Sequence, residues 1–177
     1  GQTVLDPFCG CGTTLVQANE LGVNASGYDV SAFNVLLCRV KTAIYDLNRV
    51  RKEVMDILEK TRSLVERNTY QLSLWAEESY DSGLCLSEAN QAYLQKWYAP
   101  QALNELLTYR QLIEMEGYQY QDVLKIILSR SARSARLTTH FDLDFPKQPQ
   151  TEPYWCYKHT RECYPTQETL KFLKRYS

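Results

Sequence analysis

A carboxylate, two glycines and two threonines fall within nine residues, Asp6-Pro7-Phe8-Cys9-Gly10-Cys11-Gly12-Thr13-Thr14, and this string carries the most chemical information in the 177-residue chain. Preceded by the apolar pair Val4-Leu5, it reads as a strand that runs into a glycine turn and then a helix, with Asp6 at the strand's end. Gly10 and Gly12 remove the side chains that would hold a ligand off the backbone. A phosphate loop needs Lys and then Ser or Thr after its last glycine; here Thr13-Thr14 follow Gly12, which argues against a nucleotide triphosphatase. A dinucleotide fingerprint wants a third glycine where this chain has Leu15, which disfavours NAD. The next strand candidate, Asn24 to Tyr28, ends at Asp29, 23 positions after Asp6, about where a doubly wound sheet places an acid that accepts from ribose hydroxyls. The turn and this second acid suit a nucleoside ligand without a phosphate.

These residues need two strand-helix units to position them. Thr13 or Thr14 can cap the first helix, which runs through Leu15, Val16, Ala18 and Leu21 until Gly22 ends it. Ser31 is the cap expected for the second, with Phe33, Leu36, Leu37, Val40 and Ile44 on one face. A parallel sheet of two strands leaves its faces and edges open, so further strands are expected outside these residues. With Gly1 two residues ahead of the first strand and Ser177 soon after a basic helix, the sequence reads as cut at both ends.

From about Leu47 to Arg136 the pattern turns helical. Leu47, Val50, Val54, Ile57, Leu58 and Val65 recur at three- and four-residue steps, the mark of one amphipathic helix. The polar and aromatic stretch from Asn68 to Gly83 breaks the regularity, and Ser87 can cap a short helix with Ala89, Ala92, Tyr93 and Trp97. Pro100 suits the first turn of the next helix, whose Leu103, Leu106, Leu107, Leu112 and Ile113 should be buried before Gly117 closes it. A last helix carries Val123, Leu124, Ile126, Ile127 and Leu128. Beyond Arg136, Phe141, Leu143 and Phe145 alternate with Asp142 and Asp144 as in an extended arm, and Pro146, Pro149 and Pro153 keep the continuation irregular. Thr166 to Tyr176 reads as a final helix, with Glu168 in its first turn and Lys171, Lys174 and Arg175 toward its end. The division expected is 1–45, 46–136 and 137–177.

Composition sets outer bounds. With 44% hydrophobic residues the chain has enough apolar matter for an ordinary core, and no apolar run reaches the length of a membrane span or forms a signal peptide. A formal charge of -1 means that any nucleic-acid contact must come from a local patch. The six cysteines, Cys9, Cys11, Cys38, Cys85, Cys156 and Cys163, are scattered, which fits reduced thiols in a cytoplasm better than a disulfide scaffold.

Two further groups could do chemistry. Arg130, Arg133 and Arg136 stand at three-residue steps on the last long helix, so their guanidinium groups could track a phosphate backbone; the plainer reading is a solvated face. Cys156, His159 and Cys163 have spacings of three and four that would suit metal ligation. A structural zinc site wants four ligands, however, and only His140 or a remote cysteine could complete the set. With Trp155, Tyr157, Lys158, Arg161 and Tyr164 around them, plain packing is the leading reading and base stacking the next; no metal is assigned here, and a separate zinc module over Cys156 to Cys163 is the weakest alternative.

The string from Asp6 to Thr14 resembles the S-adenosylmethionine-binding motif of DNA amino-methyltransferases, the enzymes that methylate the exocyclic amine of adenine or cytosine in modification systems. Gly27-Tyr28-Asp29 resembles their second motif. The resemblance covers about the first 45 residues; more diffusely, Trp97-Tyr98-Ala99-Pro100 with the helices to Arg136, and Thr138 to Pro165, are similar to the long insertion of one branch. It implies an α/β fold, a partial Rossmann-like sheet followed by a mostly helical insertion. It also implies that Asp6, Pro7, Phe8, Cys9, Gly10, Cys11, Gly12, Thr13 and Thr14 bind S-adenosyl-L-methionine, Asp6 and the Gly10 to Gly12 turn facing its methionine part, while Asp29 holds the ribose. DNA, with its target base flipped out, is the implied substrate. The family's catalytic Pro-Pro-aromatic motif is absent, since none of the six prolines is followed by another; Glu152-Pro153-Tyr154 is the nearest string and lacks the amide-type acceptor. The implied chemistry then lies downstream. Cys9 and Cys11 are read as small turn residues rather than nucleophiles. A tRNA guanine methyltransferase uses a similar loop, and a methyltransferase-like module that binds nucleic acid without turnover remains an alternative.

Overall fold

The computed structural model describes residues 1–74, 88–140 and 146–177, and within these the chain is mixed α/β. Strand β1 (Thr3–Asp6) and strand β2 (Asn24–Gly27) pair in parallel, Thr3 opposite Asn24 and Asp6 opposite Gly27. Helix α1 (Thr13–Glu20) joins them and helix α2 (Ala32–Thr42) follows. Neither threonine caps α1: Gly12 is the cap residue, left-handed at φ 83°, and no side chain bonds the helix start. Ser31 does cap α2, accepting from the Asn34 N–H at 3.4 Å. Gly22, at φ 66°, ends α1 as its position predicts. The apolar face foreseen for α2 is only half-buried, Phe33 is exposed, and Ile44 lies beyond the helix and is exposed; the residue that α2 buries is Cys38.

Four helices build the main core. Val54 and Ile57 of α3 (Leu47–Leu74), Tyr109, Leu112 and Ile113 of α5 (Pro100–Met115), Leu124 and Ile127 of α6 (Gln121–Ala135), and Leu173 of α7 (Leu170–Tyr176) form one buried cluster. The three- and four-residue spacing in α3 places Val54, Ile57 and Val65 on its buried face, whereas Leu47, at the helix start, is exposed. Pro100 occupies the first turn of α5, where its missing N–H is not needed. Helix α4 (Glu88–Trp97) delivers Trp97 and Tyr98 to a second cluster with Leu106 and Ala135. Ser87, the stretch to Gly83 beyond Leu74, and Phe141, Leu143 and Phe145 lie outside the described residues.

The final helix is shorter than its sequence pattern. It starts at Leu170, so Glu168 is outside it. The cause is a polar anchor from another helix: the buried Glu105 of α5 accepts from the N–H groups of Thr169 and of Leu170, the latter at 2.7 Å, while the Thr169 hydroxyl donates to the Ala102 carbonyl at 3.1 Å. A carboxylate is well placed at a helix N-terminus, where unpaired N–H groups converge. Between α6 and α7 the sequence pattern gave no hairpin, yet β3 (Tyr154–Cys156) and β4 (Arg161–Cys163) pair antiparallel. No helix among the described residues is long and apolar enough to cross a membrane.

Candidate cofactor-binding turn

The turn between β1 and α1 is tied to the end of β2 by main-chain bonds. Tyr28 N–H donates to the Asp6 carbonyl and Cys9 N–H to the Tyr28 carbonyl, each at 2.9 Å, which continues the strand pairing past the sheet. Gly12 N–H then donates to the Cys9 carbonyl at 2.7 Å and closes the loop. The Asp6 carboxylate folds back to accept from Phe8 N–H at 3.1 Å.

Asp29 points into this turn. Its Oδ2 accepts from Gly10 N–H at 2.8 Å, and its Oδ1 accepts from Ser31 N–H at 2.8 Å and from the Asn34 side-chain amide at 3.0 Å. Together these donors, Ser31 first and then Asn34, hold the carboxyl below the ordinary carboxylate range. One carboxylate therefore joins the glycine turn to the start of α2 and stays ionised at neutral pH, with one lone pair of Oδ2 left for a further donor.

The two turn glycines do different work. A Cβ added at Gly12, where φ is 83°, would stand 2.8 Å from Cys38 Sγ, so this glycine lets α2 approach the turn. At Gly10, where φ is 49°, the nearest heavy atom is the Phe8 carbonyl oxygen at 4.0 Å, so this glycine faces open space. Gly27 supplies the close helix-strand approach that a dinucleotide site obtains from a third glycine: its Cβ would meet Leu15 Cδ1 at 2.8 Å.

The thiols divide likewise. Cys9 and Cys38 are buried with sulfurs 3.6 Å apart, and burial together with that contact pushes the Cys9 thiol up to about 11. Such a thiol is protonated at neutral pH and no nucleophile. Cys11 is exposed; the Thr13 hydroxyl and the Lys41 ammonium lower its pKa. Lys41 also donates to the Cys11 carbonyl at 2.7 Å. Pro7 and Thr14 lie in the same segment, at the start of the turn and in the first turn of α1. Phe8, Tyr28 and Val30 flank it with exposed apolar side chains. The sequence pattern did not mark Asn34, Cys38 or Lys41 as part of this unit, and it marked Gly27 only through its place beside Asp29. For Asn34 a signal was available, an amide one helical turn beyond the cap.

The arginines do not form an even row. Arg130 and Arg133 are exposed, with the Arg130 guanidinium 4.8 Å from the Tyr176 ring centre. Arg136, half-buried past the end of α6, lies 5.2 Å over the Trp97 ring. His140, Cys156, His159 and Cys163, by contrast, are brought together, with their ligand atoms all within 4.8 Å of one another.

Comparison with known proteins finds two relatives of one kind. The chain is 34% identical, over an alignment 227 residues long, to the type II methyltransferase M.MjaII of Methanocaldococcus jannaschii, a match that covers all of this chain and 43% of the relative. It is 33% identical over 76 residues to the type II methyltransferase M.BsoBI of Geobacillus stearothermophilus, covering 42% of this chain and 15% of the relative. The chain thus spans less than half the length of the curated relatives it matches. No family model and no solved structure matches it.

Proposed function

We propose that this chain is the cofactor-seating part of a DNA methyltransferase of the restriction-modification kind, which moves a methyl group from S-adenosyl-L-methionine to an exocyclic amine of adenine or cytosine. The observation that carries this reading is the ionised Asp29 aimed at the open Gly10 turn, in a chain similar along its whole length to a type II methyltransferase. In this reading 1–45 is the beginning of a Rossmann-like cofactor domain, 46–136 a helical insertion, and 137–177 a DNA-facing segment with the last helix. Asp6 and the turn from Gly10 to Gly12 take the methionine part of the cofactor, with the rest of the segment from Pro7 to Thr14 around them, and the remaining lone pair of Asp29 Oδ2 accepts from a ribose hydroxyl. The exposed Phe8, Tyr28 and Val30 offer apolar surface for the purine.

Methyl transfer from a sulfonium to an amine is a direct displacement. The carbon-sulfur bond breaks as the nitrogen-carbon bond forms, the sulfide leaves neutral and the amine loses a proton. Alignment is then the protein's main contribution, with the base taken out of the duplex to reach the methyl. The group that grips the amine is not among these 177 residues. Arg130, Arg133 and Arg136 would contact phosphates, which positions DNA without choosing a sequence.

The test uses the full-length protein with methyl-labelled cofactor, unmethylated duplex DNA and tRNA. Label on a DNA exocyclic amine is the expected outcome; label on tRNA, or none on either, overturns the reading. For Asp29, calorimetry compares S-adenosylhomocysteine with its 2′-deoxy analogue. Loss of the hydroxyl should weaken binding about 10-fold or more in the native protein and hardly at all in Asp29→Ala. Equal losses in both would remove Asp29 from the ribose.

A further inference from the structure

We infer that His140, Cys156, His159 and Cys163 bind one structural zinc ion. The β3-β4 hairpin supplies three of the ligands. Cys156 ends β3 and Cys163 ends β4; with Tyr154 opposite Cys163, the two-residue period of a strand puts both sulfurs on one face, and both cysteines are buried while Trp155 and Glu162 are exposed. The His159 N–H donates to the Cys156 carbonyl at 3.2 Å, and Thr160, at φ 50°, completes the turn that brings the imidazole back over the sulfurs. The fourth ligand, His140, arrives from the segment after α6, anchored by its N–H on the Tyr154 hydroxyl at 3.0 Å.

The spacing of the four atoms is that of a coordination shell. Cys156 Sγ lies 3.7 Å from His140 Nδ1 and 3.6 Å from His159 Nδ1, which is itself 3.4 Å from Cys163 Sγ. A tetrahedron with zinc-sulfur bonds of about 2.3 Å and zinc-nitrogen bonds of about 2.0 Å has sulfur-nitrogen edges of about 3.5 Å. Thiol-imidazole hydrogen bonds explain the cluster less well. His159 Nδ1 has one lone pair or one proton, directed along one line in the ring plane, yet it stands close to both sulfurs. Two sulfurs and two imidazole nitrogens select a borderline-soft ion, and four protein ligands leave no open position, which makes the site structural rather than catalytic.

The surroundings favour such a staple. Among the described residues from 146 to 168, none belongs to the three apolar clusters. A hairpin with three-residue strands is marginal alone, and its Trp155 and Tyr157 are exposed. A metal bond here ties the chain leaving α6 to the chain entering α7, and the binding free energy becomes local folding free energy.

The experiment measures zinc in the full-length protein purified under reducing conditions without a metal-affinity step, then replaces it with Co2+. About one zinc per chain is expected, with the visible d-d bands of tetrahedral cobalt and a thiolate charge-transfer band. Cys156→Ser and His140→Ala should each lower zinc affinity at least 10-fold, and chelation should open 146–169 to protease while the helical circular dichroism persists. Cys38→Ala, at the other thiol pair, should keep the zinc. Native protein with far less than one zinc and no tetrahedral cobalt spectrum, or zinc lost with Cys38→Ala and retained with Cys156→Ser, overturns the site. Neither readout involves methyl transfer.

Discussion

The glycine turn and the helical block are held by opposite means. In the first 46 residues the buried positions are Cys9, Gly12, Ala18 and Cys38, all small, while Leu5, Phe8, Leu21, Tyr28, Val30, Phe33 and Ile44 are exposed. In the block, eight larger apolar side chains from α3, α5, α6 and α7 fill one cluster. Shape in the turn therefore comes from backbones that approach closely and from donors gathered on Asp29. Shape in the block comes from filled volume. Adding a methyl should harm the first and removing methyls should harm the second.

The largest effect is expected in the block. Leu124 has no exposed surface in the main cluster, so Leu124→Ala should lose about 3 kcal/mol in denaturant unfolding of the full-length protein, with cofactor affinity of the remaining folded fraction unchanged. A loss below about 1 kcal/mol would mean that the cluster relaxes into the gap, and the contrast between the two regions would fail.

The same contrast decides what was legible in the sequence. Helix periodicity reports volume burial, so α3, α5 and α6 could be read from their apolar spacing, and Pro100 and Gly117 could be read as their punctuation. Close approach leaves no periodic trace. Gly12 drew attention as a ligand-facing glycine, whereas its hydrogen lies against Cys38, a residue 26 positions on that carries no motif. Threonine is a common cap, which makes Thr13 or Thr14 the expected start of α1; the left-handed Gly12 takes the cap position instead, and both threonines fall inside the helix. The start of α7 was placed early because its anchor, Glu105, is 64 positions from Thr169 and looks like any acid in an amphipathic helix. Metal-type spacing was visible at Cys156, His159 and Cys163. Its fourth member could be named only as one of several candidates until the fold put His140 beside Tyr154.

The two glycines sharpen the comparison inside the turn. Gly12→Ala should cost about 2 kcal/mol, the sum of a left-handed backbone and a methyl pressed on the Cys38 sulfur, and Cys38→Ala in the same chain should recover part of it. Gly10→Ala meets only open space, so its stability cost should stay near the backbone term of about 1 kcal/mol. Its effect on cofactor binding should be the greater of the two, because the new methyl stands where the ligand's approach is proposed. Equal stability losses, measured by thermal unfolding, would erase the distinction between a packing glycine and a binding one.

The smallest effect is electrostatic, and its sign follows from the donors around Asp29. Three N–H groups favour the ionised carboxyl, so its folded pKa lies below that of the unfolded chain. The resulting stabilisation is fully present above the unfolded value and is lost as pH falls through the folded one. At neutral pH the turn should keep its geometry, and acidification below the ordinary carboxylate range should release the Gly10 N–H before the amides of α3, which packs on the main cluster through the apolar Val54 and Ile57, lose protection. Carbon-13 titration of the Asp29 carboxyl alongside amide exchange at Gly10 reads this directly. A carboxyl that titrates at or above the ordinary value, or a Gly10 amide that loses protection only together with the helices, would show the turn to be held by the same packing as the block.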